Sequence, residues 1–88
     1  MLYFVYMLLS VNSPKPLSYV GYSINPTQRL ASHNNGKGAK FTKGRKWKII
    51  YKKKFKNKSE ALKFEYYLKK NIKLRKIIKN KYINEPKF

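Results

Sequence analysis

The chain opens on an apolar run, MLYFVYMLL (residues 1–9), in a sequence otherwise rich in lysine. No other stretch is as long or as apolar, so the fate of this run constrains the fold. It is too short to span a bilayer, which takes about 20 apolar residues. It lacks the basic leader and small-residue cleavage site of an export signal. Its aromatic and β-branched content suits a buried strand. An intracellular, soluble protein with no membrane partner is the expectation.

The residues that follow punctuate clearly. VNSPKP (11–16) is turn chemistry. LSYVGYS (17–23) reads as a second strand, which predicts an antiparallel hairpin. Asn25 stands as an N-cap before Pro26, at the start of a helix predicted to reach Asn34, and Asn35-Gly36 ends it. GKGAKFTKGRK (36–46) is a basic loop with three glycines and room for a short helix. WKIIYKKKF (47–55) reads as a third strand with a basic end. Ser59 can cap a second helix to about Asn71, with Glu60 in its first turn. A third helical piece, about 73–81, carries Leu74, Ile77 and Ile78. No repeat, linker or second domain interrupts residues 1–88, and 73–88 reads as a basic helical tail.

Size and charge narrow the function. An 88-residue chain buries only roughly 60–65% of its unfolded surface. With 42% apolar residues and 16% aromatics it is still no disordered polycation. There is no cysteine and one histidine, which excludes disulfides and a structural zinc site. The net charge of +19 favours polyanionic partners. Part of the lysine excess is also what an A/T-rich genome would supply. Arginine is scarce by contrast, so Arg29 says more than any single lysine.

The three acids, Glu60, Glu65 and Glu85, decide something further. A two-metal nuclease centre needs several converging carboxylates, and this chain cannot supply them. Glu60 serves a helix N-terminus, and Glu85 sits in a polar tail beside Pro86. Glu65 is different. Ala61, Leu62, Leu68 and Ile72 share its side of the second helix by spacing. A carboxylate on an apolar stripe must be paired, protonated or cation-bound. Arg29 and a metal ion are the two partners the sequence offers.

FVYML, SYVGYS, NPTQRLASHN, GKGAKFTKGRKW and SEALKFEYYLK, in that order, resemble the GIY-YIG nuclease superfamily. The likeness is to its small stand-alone members and to the nuclease domain of the structure-specific junction-resolving endonuclease. Phe4-Val5-Tyr6 stands for GIY and Tyr19-Val20-Gly21 for YIG. The resemblance implies an α/β (α+β) fold, a small three-stranded antiparallel sheet flanked by helices in the order β-β-α-β-α, in agreement with the caps and patterns above. It also implies roles. Glu65 would bind a single Mg²⁺ or Mn²⁺ ion, and Arg29 would grip the scissile phosphate. Tyr6 and Tyr19 would surround the attacking water, either being the one that takes its proton. A phenol with a pKa near 10 needs neighbouring cations to serve as a base at pH 7. His33 falls where the family has His or Tyr. Residues four apart on a helix point in nearly the same direction, so Arg29 and His33 can face one site.

Asn34, Lys37, Lys40, Lys43, Arg45 and Lys46 are the expected nucleic-acid contacts, with Asn34, at the helix end, able to hydrogen-bond the backbone of either protein or DNA. The loop glycines would let backbone approach phosphate. Lys69 to Lys81 reads equally as a solvated face or a DNA contact. No separate targeting domain is legible, so the expected metal-dependent DNA endonuclease would select branches, flaps or nicks by structure, be guided by a targeting partner protein, or cut with little selectivity. A non-catalytic nucleic-acid-binding module of the same fold is the alternative, and a small ribosome-associated basic protein is a third reading.

Overall fold

The computed structural model describes residues 1–11 and 13–84. Strand β1 (Tyr3–Ser10) is the middle of a three-stranded antiparallel sheet in the order β2-β1-β3, between β2 (Ser18–Ser23) and β3 (Trp47–Phe55). That position explains the apolar opening. Both faces of β1 are covered and both edges are paired, so Val5 through Ser10 are all buried. The hairpin forms as expected, with Phe4 opposite Ser23 and Leu9 opposite Ser18.

Three helices flank the sheet: α1 (Pro26–Asn34), α2 (Lys58–Lys70) and α3 (Ile72–Asn84), with a short 3₁₀ turn at Lys40–Thr42. Strand alternation sorts the core into two clusters. Val5 and Met7 join Val20, Ala61 and Leu68 beneath α2. Tyr6 and Leu8 join Trp47 on the opposite face, with Leu30 of α1 against them. Strand β3 serves both clusters because it slips register. Met7 pairs with Tyr51 but Leu8 pairs with Ile49, so Ile50 is an extra residue. This bulge leaves Ile49 in the Tyr6 cluster and turns Ile50 and Tyr51 to the other.

Some local expectations are corrected. Asn25 caps α1 as predicted, accepting from the Gln28 N–H at 3.2 Å. For α2 the cap is Asn57, not Ser59. Its Oδ1 accepts from the N–H groups of Ser59 at 2.8 Å and Glu60 at 3.3 Å, so the helix begins at Lys58. The buried stripe of α2 is Ala61, Phe64 and Leu68. Leu62 and Ile72 do not share it: they are 41% and 61% exposed, and Ile72 begins α3 after the chain breaks phase at Asn71. Helix α3 extends beyond 73–81 at both ends. Leu74 and Ile78 pack inward, whereas Ile77 is exposed. Glu85, Pro86 and the end of the 73–88 tail lie outside the described residues. No helix among those described is long and apolar enough to cross a membrane.

Candidate active site

Tyr6 lies on β1 directly opposite Gly21 of β2. A side chain at Gly21 would collide with Cζ and Oη of Tyr6. The glycine therefore leaves room for the fully buried phenol to lie across the neighbouring strand. The Tyr6 hydroxyl is 2.9 Å from Nε2 of His33, which is also fully buried.

The rest of the network orients that bond. Nδ1 of His33 lies 2.9 Å from Oγ1 of Thr42. The Thr42 hydroxyl itself donates to the Ala39 carbonyl at 2.8 Å. A hydroxyl has one proton. With that proton committed, Oγ1 can only accept, and Nδ1 must carry the imidazole proton. Nε2 of neutral His33 is then the acceptor, and Tyr6 is the donor; the tautomer is assigned by these partners. Tyr19 meets His33 edge-on, with ring centroids 5.0 Å apart at 60°, and stacks on Phe41 at 6.3 Å and 19°.

Arg29 stands one helical turn before His33, exposed on α1. Its charge acts on both buried rings. Burial raises the Tyr6 phenol above 10.0, Arg29 pulls it back, and Tyr19 and Glu65 push it further up. Burial lowers His33 below 6.5, and Arg29 adds to the lowering. Both shifts hold the proton on Tyr6 at rest.

Glu65 sits beside Ala61 and Leu68, its side chain only 17% exposed, and pairs with Lys69 at 3.2 Å. Lys69, one turn along the same helix, is a partner that sequence reasoning did not weigh. The carboxylate is near enough to be felt at the Tyr6 phenol. Tyr6, Tyr19 and His33 are thus in contact; Arg29 acts electrostatically on Tyr6 and His33, and Glu65 on Tyr6.

The basic loop divides. Lys37, Lys40, Lys43, Arg45 and Lys46 are exposed, as phosphate contacts must be. Asn34 has another occupation. Its Oδ1 accepts from the Trp47 N–H at 2.6 Å and its Nδ2 donates to the Trp47 carbonyl at 3.2 Å, so it ties the end of α1 to the start of β3. The loop glycines also have internal reasons. Gly38 packs so closely on the His33 ring that an added Cβ would overlap it. Gly44, at φ 80°, is the third residue of a type II turn closed by Arg45 N–H to the Thr42 carbonyl at 3.4 Å. Thr42 and Gly38 are the site residues that sequence reasoning missed. No spacing rule separates a buried Thr in a basic loop from an exposed one.

Among the described residues no three His, Cys, Asp or Glu side chains group together. A cation here would have Glu65 as its protein ligand. That donor set fits Mg²⁺ or Mn²⁺, which are commonly held by one or two carboxylates with waters and substrate phosphate oxygens.

Comparison with known proteins agrees with the geometry. The model of the GIY-YIG catalytic domain matches residues 2–82. A UPF0213 protein of Clostridium perfringens is 42% identical over 73 residues, covering 80% of this chain and 78% of that one. One of Bacillus licheniformis is 44% identical over 70 residues, covering 78% and 69%. One of Oceanobacillus iheyensis is 52% identical over 52 residues, and the match spans 58% of this chain and 60% of that relative. The solution NMR structure of a UPF0213 protein from Bacillus halodurans superposes with a TM-score of 0.53 at 30% identity, covering 98% of this chain and 89% of the other.

Proposed function

This chain belongs to the GIY-YIG catalytic domain family, whose members form a nuclease superfamily, and from that membership we propose that residues 1–88 act as one metal-dependent DNA endonuclease domain. The observation that carries the reading is the hydrogen bond from Tyr6 to His33, with Arg29 and Glu65 both acting on the same phenol.

Arg29 holds the non-bridging oxygens of the scissile phosphate; its fixed fork matches their geometry and its charge grows in value as the transition state forms. A phosphate diester on Arg29 also offsets part of the charge that depresses His33. The attacking water gives a proton to the Tyr6 oxygen as Tyr6 passes its own proton to Nε2 of His33. The water oxygen bonds to phosphorus, the P–O bond to the departing nucleoside breaks, and solvent protonates the oxygen that leaves. Thr42 accepts from the far side of the imidazole throughout. Tyr19, edge-on to His33, walls the water in. A single Mg²⁺ or Mn²⁺ ion on Glu65 would supply Lewis-acid stabilisation of the charge growing on the phosphate.

The exposed loop cations give affinity for any backbone without reading sequence. Preference for branched or nicked DNA in repair or recombination, or guidance by a targeting protein, is the finer form of this proposal. The test compares cutting of branched, nicked and linear DNA by wild type and Glu65→Gln, with Mg²⁺ or Mn²⁺. Loss of cutting in the variant is expected. Equal cutting would remove Glu65 as metal ligand, and DNA binding by wild type without turnover would leave a non-catalytic module.

A further inference from the structure

Three of the 22 basic residues are arginines, and all three border one row of rings. Arg29 acts on Tyr6 and His33. Tyr19 leans on His33 and stacks on Phe41. Arg45 lies over the Phe41 ring, 5.5 Å from its centroid. Arg75, from α3, lines a groove of about 310 Å³ that Phe41 also lines. We propose that this groove is a second phosphate-binding subsite, which holds the substrate strand beside the bond that is cut. The proposal rests on the nuclease reading of the adjoining site.

Four observations support it. First, Nε of Arg75 is buried and has no hydrogen-bond partner among the described residues. A guanidinium N–H shut from water without an acceptor is costly, and a phosphate oxygen is the acceptor a guanidinium fork fits best. Second, Lys76 and Lys79 line the groove with Arg75, and no acid does. Lys79 is anchored to the Pro16 carbonyl at 3.0 Å, which leaves Lys76 as the exposed second cation. Third, Phe41 is 47% exposed, so part of its ring is open to an occupant of the groove. An occupant with both an anion and a stacking ring is a nucleotide; an acidic peptide matches only the charge. Fourth, Ser18 lines the groove next in sequence to Tyr19, and Phe41 stacks on that same tyrosine. The occupant therefore lies beside Tyr19, at the edge of the site that would hold the scissile phosphate.

The test is anisotropy of a labelled branched DNA in EDTA over a salt series. Arg75→Gln should weaken binding about tenfold and reduce the salt slope by about one. Lys76→Gln, an exposed change that leaves the core intact, should act in the same direction. Lys73→Gln removes the same charge from an exposed site on α3 outside the groove and should change binding less than about twofold. Should Arg75→Gln fail to fold, Lys76→Gln against Lys73→Gln decides. Groove variants that match Lys73→Gln, while wild type binds and cuts, overturn the subsite alone. Wild type that neither binds nor cuts DNA overturns the nuclease reading and the subsite together.

Discussion

Tyr6 donates to His33 across 2.9 Å between two fully buried rings, and the direction of that bond is set from the far side of the imidazole by Thr42. If the Tyr6–His33 pair moves the proton, Thr42→Val should disable it without emptying the core. Valine keeps the shape and loses the acceptor, so the imidazole is free to invert. Cutting should fall about 10-fold to 100-fold, up to the lower end of general acid–base effects because the pair is misoriented and not removed, and Thr42→Ser should restore it. The ¹⁵N shifts of His33 read the tautomer directly: Nδ1–H in wild type and the serine variant, a mixture in the valine variant.

The pH response follows from the same pair. His33 is held below 6.5 by burial and then by Arg29, so the acid limb of kcat should lie below pH 6.5. Stability carries a matching signature. Just below pH 6.5 the unfolded chain binds a proton at His33 that the folded chain refuses, so stability falls as pH falls through that window. Tyr6, raised above 10.0, acts at the other end. Its contribution is complete below pH 10 and is lost as pH rises from there through its raised value. Thermal unfolding against pH checks both limbs, with His33→Gln expected to flatten the acid decline.

Gly21→Ala and Gly38→Ala each force a methyl into an aromatic ring, Tyr6 in the first case and His33 in the second. Each should cost about 1–3 kcal/mol, as overpacking does, measured by urea unfolding. Both should lower cutting as well, because the ring each one displaces belongs to the Tyr6–His33 pair.

Lys69 competes with any cation for Glu65. Lys69→Gln should lower the Mg²⁺ concentration that half-saturates cutting by about twofold, the equivalent of about 0.5 kcal/mol for a same-helix pair, with kcat unchanged. The salt bridge is half-exposed on the lysine side, so unfolding should barely register the change. A metal titration of activity that does not shift would argue against Glu65 as ligand.

Asn34→Ala removes two hydrogen bonds to Trp47 and should cost about 2 kcal/mol. The salt slope of DNA binding should not change. Lys43→Gln, from the same loop, should do the reverse, lowering the slope with stability intact.

How much was legible follows from which rules the chain obeys locally. The strands were readable because β1 is covered on both faces, so its burial shows as an unbroken apolar run. Asn25 and Pro26 marked α1 because their chemistry acts within one turn. Asn57 was missed because a lysine separates the cap from Ser59, and Ser59 satisfied the same rule on paper. Leu62 and Ile72 were misplaced by treating spacing as burial; the break at Asn71 resets the phase. The five candidate site residues were brought together by a family likeness, with Arg29 and His33 supported by helical spacing and Glu65 singled out by its place on an apolar stripe. Asn34 was legible as a backbone binder at the helix end, but its partner Trp47, like the roles of Thr42 and Gly38, came only from tertiary contact, since each acts on a residue from another element or across a loop.

The location of Tyr6 on the central strand has an evolutionary consequence. Its ring is a filler of the molecule's middle as well as a reactive group, so selection for a folded chain alone would retain it long after catalysis had lapsed. Arg29 stands in solvent and Glu65 at the rim of the packing; folding asks little of either. In any descendant of this chain, decay of enzymatic use should therefore erase the guanidinium and the carboxylate first and the phenol last.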